Sequence, residues 1–157
     1  MNKREARDIL FTLVYEYEFN REKSAADIYD DAREERGFEN FRYIKKGLSD
    51  IVLNRDRLSQ IIEKYADGWK MSRIAPVTRS ILLVAAYDIV YKSVPCGIAI
   101  NEAVELGKKY DEASAVPFIN GILNSISADV DSLKADILAE VSPSEEEIIA
   151  DTAEYEE

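Results

Sequence analysis

Ile100-Asn101-Glu102-Ala103-Val104-Glu105-Leu106-Gly107-Lys108-Lys109-Tyr110, followed seven residues later by Phe118-Ile119-Asn120-Gly121-Ile122-Leu123, decides the fold. Ala99, Ala103, Leu106 and Tyr110 recur at i, i+4, i+7 and i+11, which is one face of a helix. Val116, Ile119, Ile122, Leu123 and Ile126 form a second apolar face, with Ser114 placed as its N-cap and Pro117 tolerated in the first turn. The spacing predicts two short packed helices. Gly107 and Gly121 lie inside them. Each costs about 1 kcal/mol against alanine, and close helix contact is the expected compensation.

The same periodicity runs outward along the chain. Ala6, Ile9, Leu10, Leu13, Val14 and Tyr17 make a broad stripe over residues 3 to 19. Ser24 with Asp27 resembles a capping box, and Gly37 is placed to end the polar helix between them. A stripe from Phe41 through Leu48 and Leu58 to Tyr65 is expected to break near Asn54. Pro76 suits the first turn of a helix over residues 76 to 92, apolar nearly all round and therefore the central buried one. Pro95-Cys96-Gly97 separates it from the two helices above. No stretch alternates with period two, and no internal repeat is visible. The fold class is all-α, a compact bundle of about seven helices.

Residues 1–130 form the expected packed domain, and 131–157 an acidic extension, partly disordered. In that extension a short helix over Ser132 to Glu140 precedes Pro143, and the remainder lacks a core-forming pattern. The net charge of −11 divides unevenly: residues 129 to 157 hold 11 acidic side chains and one lysine, leaving 20 acidic and 19 basic in the rest. A nearly neutral core can still carry a basic patch.

Composition also excludes chemistry. With no histidine and one cysteine, Cys96, the chain offers no Ser-His-Asp or Cys-His nucleophile, no internal disulfide and no His-containing zinc site. Neither a G-x-x-x-x-G-K-[ST] nor a G-x-G-x-x-G loop appears. No catalytic residue, metal or cofactor is expected, and Glu102 with Glu105 reads as a solvated helix edge. The longest apolar run, Ile81 to Tyr87, is far too short to span a membrane, and no secretory signal opens the chain. The expected location is cytoplasmic.

These motifs resemble the NusB family of bacterial transcription antitermination factors, whose pattern reads I-N-E-A-[VI]-E-L-A-K, a short loop, then F-[VI]-N-G-[VI]-L. Arg4-Glu5-Ala6-Arg7 with Leu13-Val14-Tyr15 looks like the family's Arg-rich first helix. Gly68-Trp69, Arg79-Ser80-Ile81-Leu82 and Ala85-Ala86-Tyr87-Asp88 follow in the family's order. The resemblance covers about residues 3 to 128. It implies a first group of three helices packed on the remainder, and binding of boxA RNA together with the ribosomal protein NusE in the antitermination complex on RNA polymerase. Two departures stand out: Glu5 and Leu83 occupy positions where many relatives carry arginine.

Lys3, Arg4 and Arg7 lie in the first turns of helix one, where cations oppose the helix dipole unless an anion docks there. They read either as a solvated basic face or, as the resemblance implies, as phosphate contacts. Recognition of single-stranded RNA also needs flat side chains for bases. Tyr110 and Phe118, beside Lys108 and Lys109, flank one loop and serve either that purpose or the closing of a helix pair. Asn120 either bonds a neighbouring helix end or reads RNA or a partner. The resemblance maps Tyr15, Thr78, Arg79 and Asp88 to segments that meet the protein partner, against a plain reading of Arg79 as a surface cation. Two alternatives stay open: a protein-interaction bundle without RNA affinity, and the accessory module of a ribosomal RNA methyltransferase. The residues also leave a homodimer open.

Overall fold

The computed structural model describes residues 1–140, and residues 141–157, the distal part of the acidic extension, lie outside them. Eight α-helices account for most of the described chain: α1 (Lys3–Phe19), α2 (Ala25–Arg36), α3 (Arg42–Leu53), α4 (Arg55–Lys64), α5 (Pro76–Val90), α6 (Cys96–Tyr110), α7 (Ala115–Ala128) and α8 (Val130–Glu140). A single 3-10 turn, Met71–Arg73, precedes α5. Among the described residues there is no strand.

The helix ends follow local chemistry. Asn2 and Glu5 form a reciprocal capping box: the Asn2 side chain accepts from the Glu5 amide at 2.8 Å, and Glu5 accepts from the Asn2 amide at 3.3 Å. Glu5 therefore fills the N3 position of the cap, a physical reason for an acid there. Ser24 accepts from the Asp27 amide, and Gly37 ends α2 with a φ of 71° in the left-handed region. The long stripe breaks at Asn54, as its pattern predicts. Ser114 departs from expectation: its backbone is already helical and its side chain makes no cap bond, because turn bonds from Ala115 to Glu112 and Val116 to Ala113 lead the chain into α7.

Thirteen of the fifteen residues of α5 are buried, from Thr78 through Val90, and α1, α3, α4, α6, α7 and α8 all pack on it. Helices α1, α2 and α3 contact one another and reach α5 through α1 and α3, giving the two-part arrangement. Leu133 and Ile137 seat α8 against the same core. The glycines split. A Cβ on Gly107 would lie 3.3 Å from Val116 and 3.4 Å from Ile119, so α6 and α7 do meet closely there. Gly121 is exposed and a Cβ there would meet nothing within 4 Å, so close contact does not explain it. The tightest crossing was not foreseen: a Cβ on Gly47 would lie 2.9 Å from Leu10 and 3.7 Å from Tyr87, where α1, α3 and α5 converge.

Charge also enters this core. Glu18 of α1 is fully buried at its side chain and accepts from Arg79 of α5 and from both Nε (2.7 Å) and an NH2 group (2.8 Å) of Arg55 of α4. Arg79 also donates to the Ile74 carbonyl at 2.9 Å. The expected surface cation or partner contact at Arg79 is thus a buried strut between helices, held there because Glu18 neutralises it. Burial alone would raise the Glu18 carboxyl, but the bonds from Arg55 and Arg79 hold it below its ordinary value.

Three outcomes test this packing. Gly121→Ala should raise stability by about 1 kcal/mol, a gain of about 2–4 °C in melting temperature. Gly47→Ala should lower it by about 1–3 kcal/mol, measured in the same denaturation series. Glu18→Gln leaves the buried Arg79 and the half-buried Arg55 without their counter-charge, an expected loss of about 3–5 kcal/mol at neutral pH. Because the folded-state pKa of Glu18 is depressed, its contribution is present above the unfolded value and vanishes as pH falls through the folded one. The stability gap between wild type and Glu18→Gln should therefore narrow on acidification below about pH 4.5. Asp50, whose carboxyl burial pushes up, has the opposite slope but is common to both proteins. A gap constant from pH 7 to 3 would show that the ionised form of Glu18 contributes nothing.

Candidate nucleic-acid and partner interface

The N-terminal turns of α1 and the length of α6 both lie beside α5 and leave a cleft of about 870 Å³ between them. Its walls carry Arg4, Asp8, Glu102, Glu105 and Lys109. Arg4 is two-thirds exposed and donates from Nε and an NH2 group to the Glu102 carboxylate, the shortest contact being 2.9 Å. Lys109 donates to Asp8 at 2.7 Å, and the Tyr110 hydroxyl donates to the other oxygen of the same carboxylate. The hydrogen bond from Lys109 to Asp8 and the charge of Asp8 raise the Lys109 ammonium above its ordinary value. Lys108 is exposed and lies 3.5 Å from Glu105 one turn back on α6. Lys3 approaches the Tyr43 ring, 5.3 Å from its centroid.

Arg7 lies at the floor of this cleft and not at its rim. It is buried, with Nε 2.9 Å from Asp88, whose other contacts include the Tyr43 hydroxyl at 3.0 and 3.1 Å. The i, i+3 spacing places Arg4 and Arg7 on one side of α1, but the second of them points into the core, where the fully buried Asp88 requires a counter-charge. Arg7 is therefore a structural partner and not a phosphate contact, and Asp88 is closed to any protein partner. Glu102 also departs from the solvated edge expected of it: its side chain is 13% exposed and sits between Arg4 and Arg7, 3.8 Å from the latter.

The remaining expected residues divide between two places. Tyr110 packs its ring against Phe11 of α1, with centroids 4.9 Å apart and the planes tilted by 36°, and stays partly exposed. Phe11, Tyr15 and Phe19 continue along α1, with 6.4 and 5.1 Å between successive centroids. Tyr15 and Phe19 are exposed. Phe118 lines a separate cleft of about 290 Å³ with Trp69, Arg73, Ile74 and Thr78. The loop between α6 and α7 thus does not bring Tyr110 and Phe118 onto one surface. Thr78 is buried and donates to Asp111 at 2.6 Å, which ties α5 to that loop and removes its hydroxyl from a partner. Asn120 is exposed on α7. Among the described residues, no group of three or more His, Cys, Asp or Glu side chains is placed to hold a metal ion. No helix there is long and apolar enough to cross a membrane.

Asp8, Glu102 and the exposed aromatics Phe19 and Trp69 were missed from the sequence. Asp8 and Glu102 meet cations 101 and 98 residues away, so no local spacing announces them. Trp69 had a signal, a large apolar side chain beside Gly68 in a turn.

Comparison with known proteins agrees with this architecture. The NusB family pattern matches residues 4–128. The transcription antitermination protein NusB of Natranaerobius thermophilus is 36% identical over 132 residues, spanning 81% of this chain and 95% of that protein. A crystal structure of antitermination factors NusB and NusE in complex with double-stranded RNA superposes with a TM-score of 0.70 at 29% identity, covering 79% of this chain and 94% of that one. NusB of T. maritima superposes with a TM-score of 0.72 over 87% of this chain and 98% of that one, at 23% identity a likeness of fold alone. With its helices, its motifs and most of its length in common with these proteins, this chain belongs to the NusB family.

Proposed function

We propose that this protein is a transcription antitermination factor that works by binding. It would hold boxA-type RNA together with the ribosomal protein NusE during transcription of ribosomal RNA by RNA polymerase, in the cytoplasm. The observation that carries the reading is family membership over residues 4–128, joined to a fold shared with a NusB that was crystallised with NusE and RNA. The cleft between α1 and α6 supports the RNA part: Arg4 and Lys109 line it, Lys108 pairs with the lining Glu105, Lys3 precedes Arg4 on α1, and Tyr110 follows Lys109 as a flat surface. The exposed Tyr15 and Phe19, and the Trp69–Phe118 cleft beside the start of α5, support the protein part. No step in this reading requires catalysis, a metal or a cofactor.

Titration of labelled boxA-like, scrambled and duplex RNA, with and without NusE, tests it. Tightest binding is expected for the boxA-like strand with NusE present. Equal affinity for all three RNAs in both conditions would refute the reading. If these four cations all meet phosphates of a single strand, the log–log salt slope approaches about −2.8, and a flat response would remove them from the interface. Trp69→Ala should weaken NusE binding by about 2 kcal/mol with little change in melting temperature, because the ring is half exposed. Unchanged NusE affinity would exclude that cleft from the partner surface.

A further inference from the structure

The cations at the α1–α6 cleft are already engaged by carboxylates of the opposite helix. Arg4 of α1 is held by Glu102 of α6, and Lys109 of α6 is held by Asp8 of α1, so the two pairs cross the cleft in opposite senses. Asp8 additionally holds the Tyr110 hydroxyl, and so fixes the flat ring as well as the ammonium. Both cations are exposed, at 67% and 61% of their side chains, while both carboxylates are recessed, at 13% and 24%. An anion approaching from solvent meets the cations first. Each cation can turn outward on its flexible stem while its carboxylate stays behind as a recessed negative charge.

We infer that Asp8 and Glu102 form a pair of intramolecular competitors that set the threshold for RNA binding at this cleft. A ligand phosphate must take Arg4 from Glu102 or Lys109 from Asp8, and after the exchange the abandoned carboxylate repels it from within a few ångströms. A single phosphate gains one cation and faces one carboxylate, so non-specific contact gains little. A strand whose backbone reaches both cations at once, with a base on Tyr110, recovers the loss through simultaneous contacts. Selectivity in this arrangement comes from a built-in cost against partial occupancy. The inference rests on the reading that RNA occupies this cleft.

The test compares wild type with Asp8→Asn and Glu102→Gln, each of which keeps the shape of its carboxylate and removes the charge. Asp30→Asn, on the exposed face of α2, controls for net charge. Binding of a scrambled single-stranded RNA is measured at 20 and 300 mM salt, beside the boxA-like strand and melting temperature. Each cleft variant should bind scrambled RNA about 3–10-fold more tightly at low salt, gain less on the boxA-like strand, and converge with wild type at high salt as the charges are screened. Asp30→Asn should gain less than twofold. Unchanged or weaker binding of scrambled RNA by Asp8→Asn, which lies at the surface and leaves the fold intact, would overturn the gate while RNA binding by wild type still stood. Absence of RNA binding by wild type and both variants, alone and with NusE, would overturn the RNA reading and the gate together. Glu102→Gln serves as the second arm, its melting temperature separating a loosened α1 from an opened cleft.

Discussion

A helix buried on every side can carry charge only if another helix answers it, and α5 carries two such charges. Arg79 near its start is met by Glu18, and Asp88 near its end by Arg7, both from α1. The polarity reverses between the two sites, so α1 supplies an acid at one end and a base at the other. The pairing of 18 with 79 and 7 with 88 sets the helices antiparallel. Eleven residues of α1 span about 16 Å and nine of α5 about 13 Å, so the two struts lie near opposite ends of the crossing. A shift of α1 by one turn would break both and leave Arg79 and Asp88 of α5 without their partners in the core. Apolar side chains alone would hold these helices together in several registers; the two ion pairs select one.

Fixing α1 in this way has a consequence at the surface. Half of the basic pair at the start of α1 is committed to the interior, leaving Arg4 to act outward with the lysines of α6. Glu102 is the link between the two roles, since it touches both the committed arginine and the exposed one. The electrostatics of the cleft are therefore an extension of the electrostatics of the core. The aromatic row on α1 runs from Tyr110 through Phe11 to Tyr15 and Phe19, so the same helix that carries the cations also leads toward the candidate partner face.

Much of this was legible in the sequence because helices are local objects. The break at Asn54, the stop at Gly37, the start at Pro76 and the burial of α5 each follow from spacing and caps within a few residues. The site was less legible because its meaning lies in pairs. Arg7 and Asp88 are separated by 81 residues, Arg4 and Glu102 by 98, and nothing near either member reveals the other. One signal was available: Asp88 stands within an otherwise apolar stretch, and Glu18 follows the stripe of α1 by one turn from Val14. A charge on a face destined for the core asks for a partner even when the sequence does not name it. Gly107 and Gly121 make the same point for packing, since identical residues at similar helical positions proved to be a close contact in one case and open surface in the other.

The long separations within the two struts also bear on how the chain assembles during synthesis. Helix α1 leaves the ribosome first, yet Glu18 waits 61 residues for Arg79 and Arg7 waits 81 for Asp88. Until α5 emerges, the charged ends of α1 are solvated and its apolar stripe has only α2 and α3 to cover it. At about 5–20 residues per second, that interval lasts several seconds, much longer than helix formation itself. The first three helices therefore form a provisional assembly with one face open, and the arrival of α5 closes it. The central helix brings both partners of the charges on α1, so its arrival sets the register on which α6, α7 and α8 then complete the core.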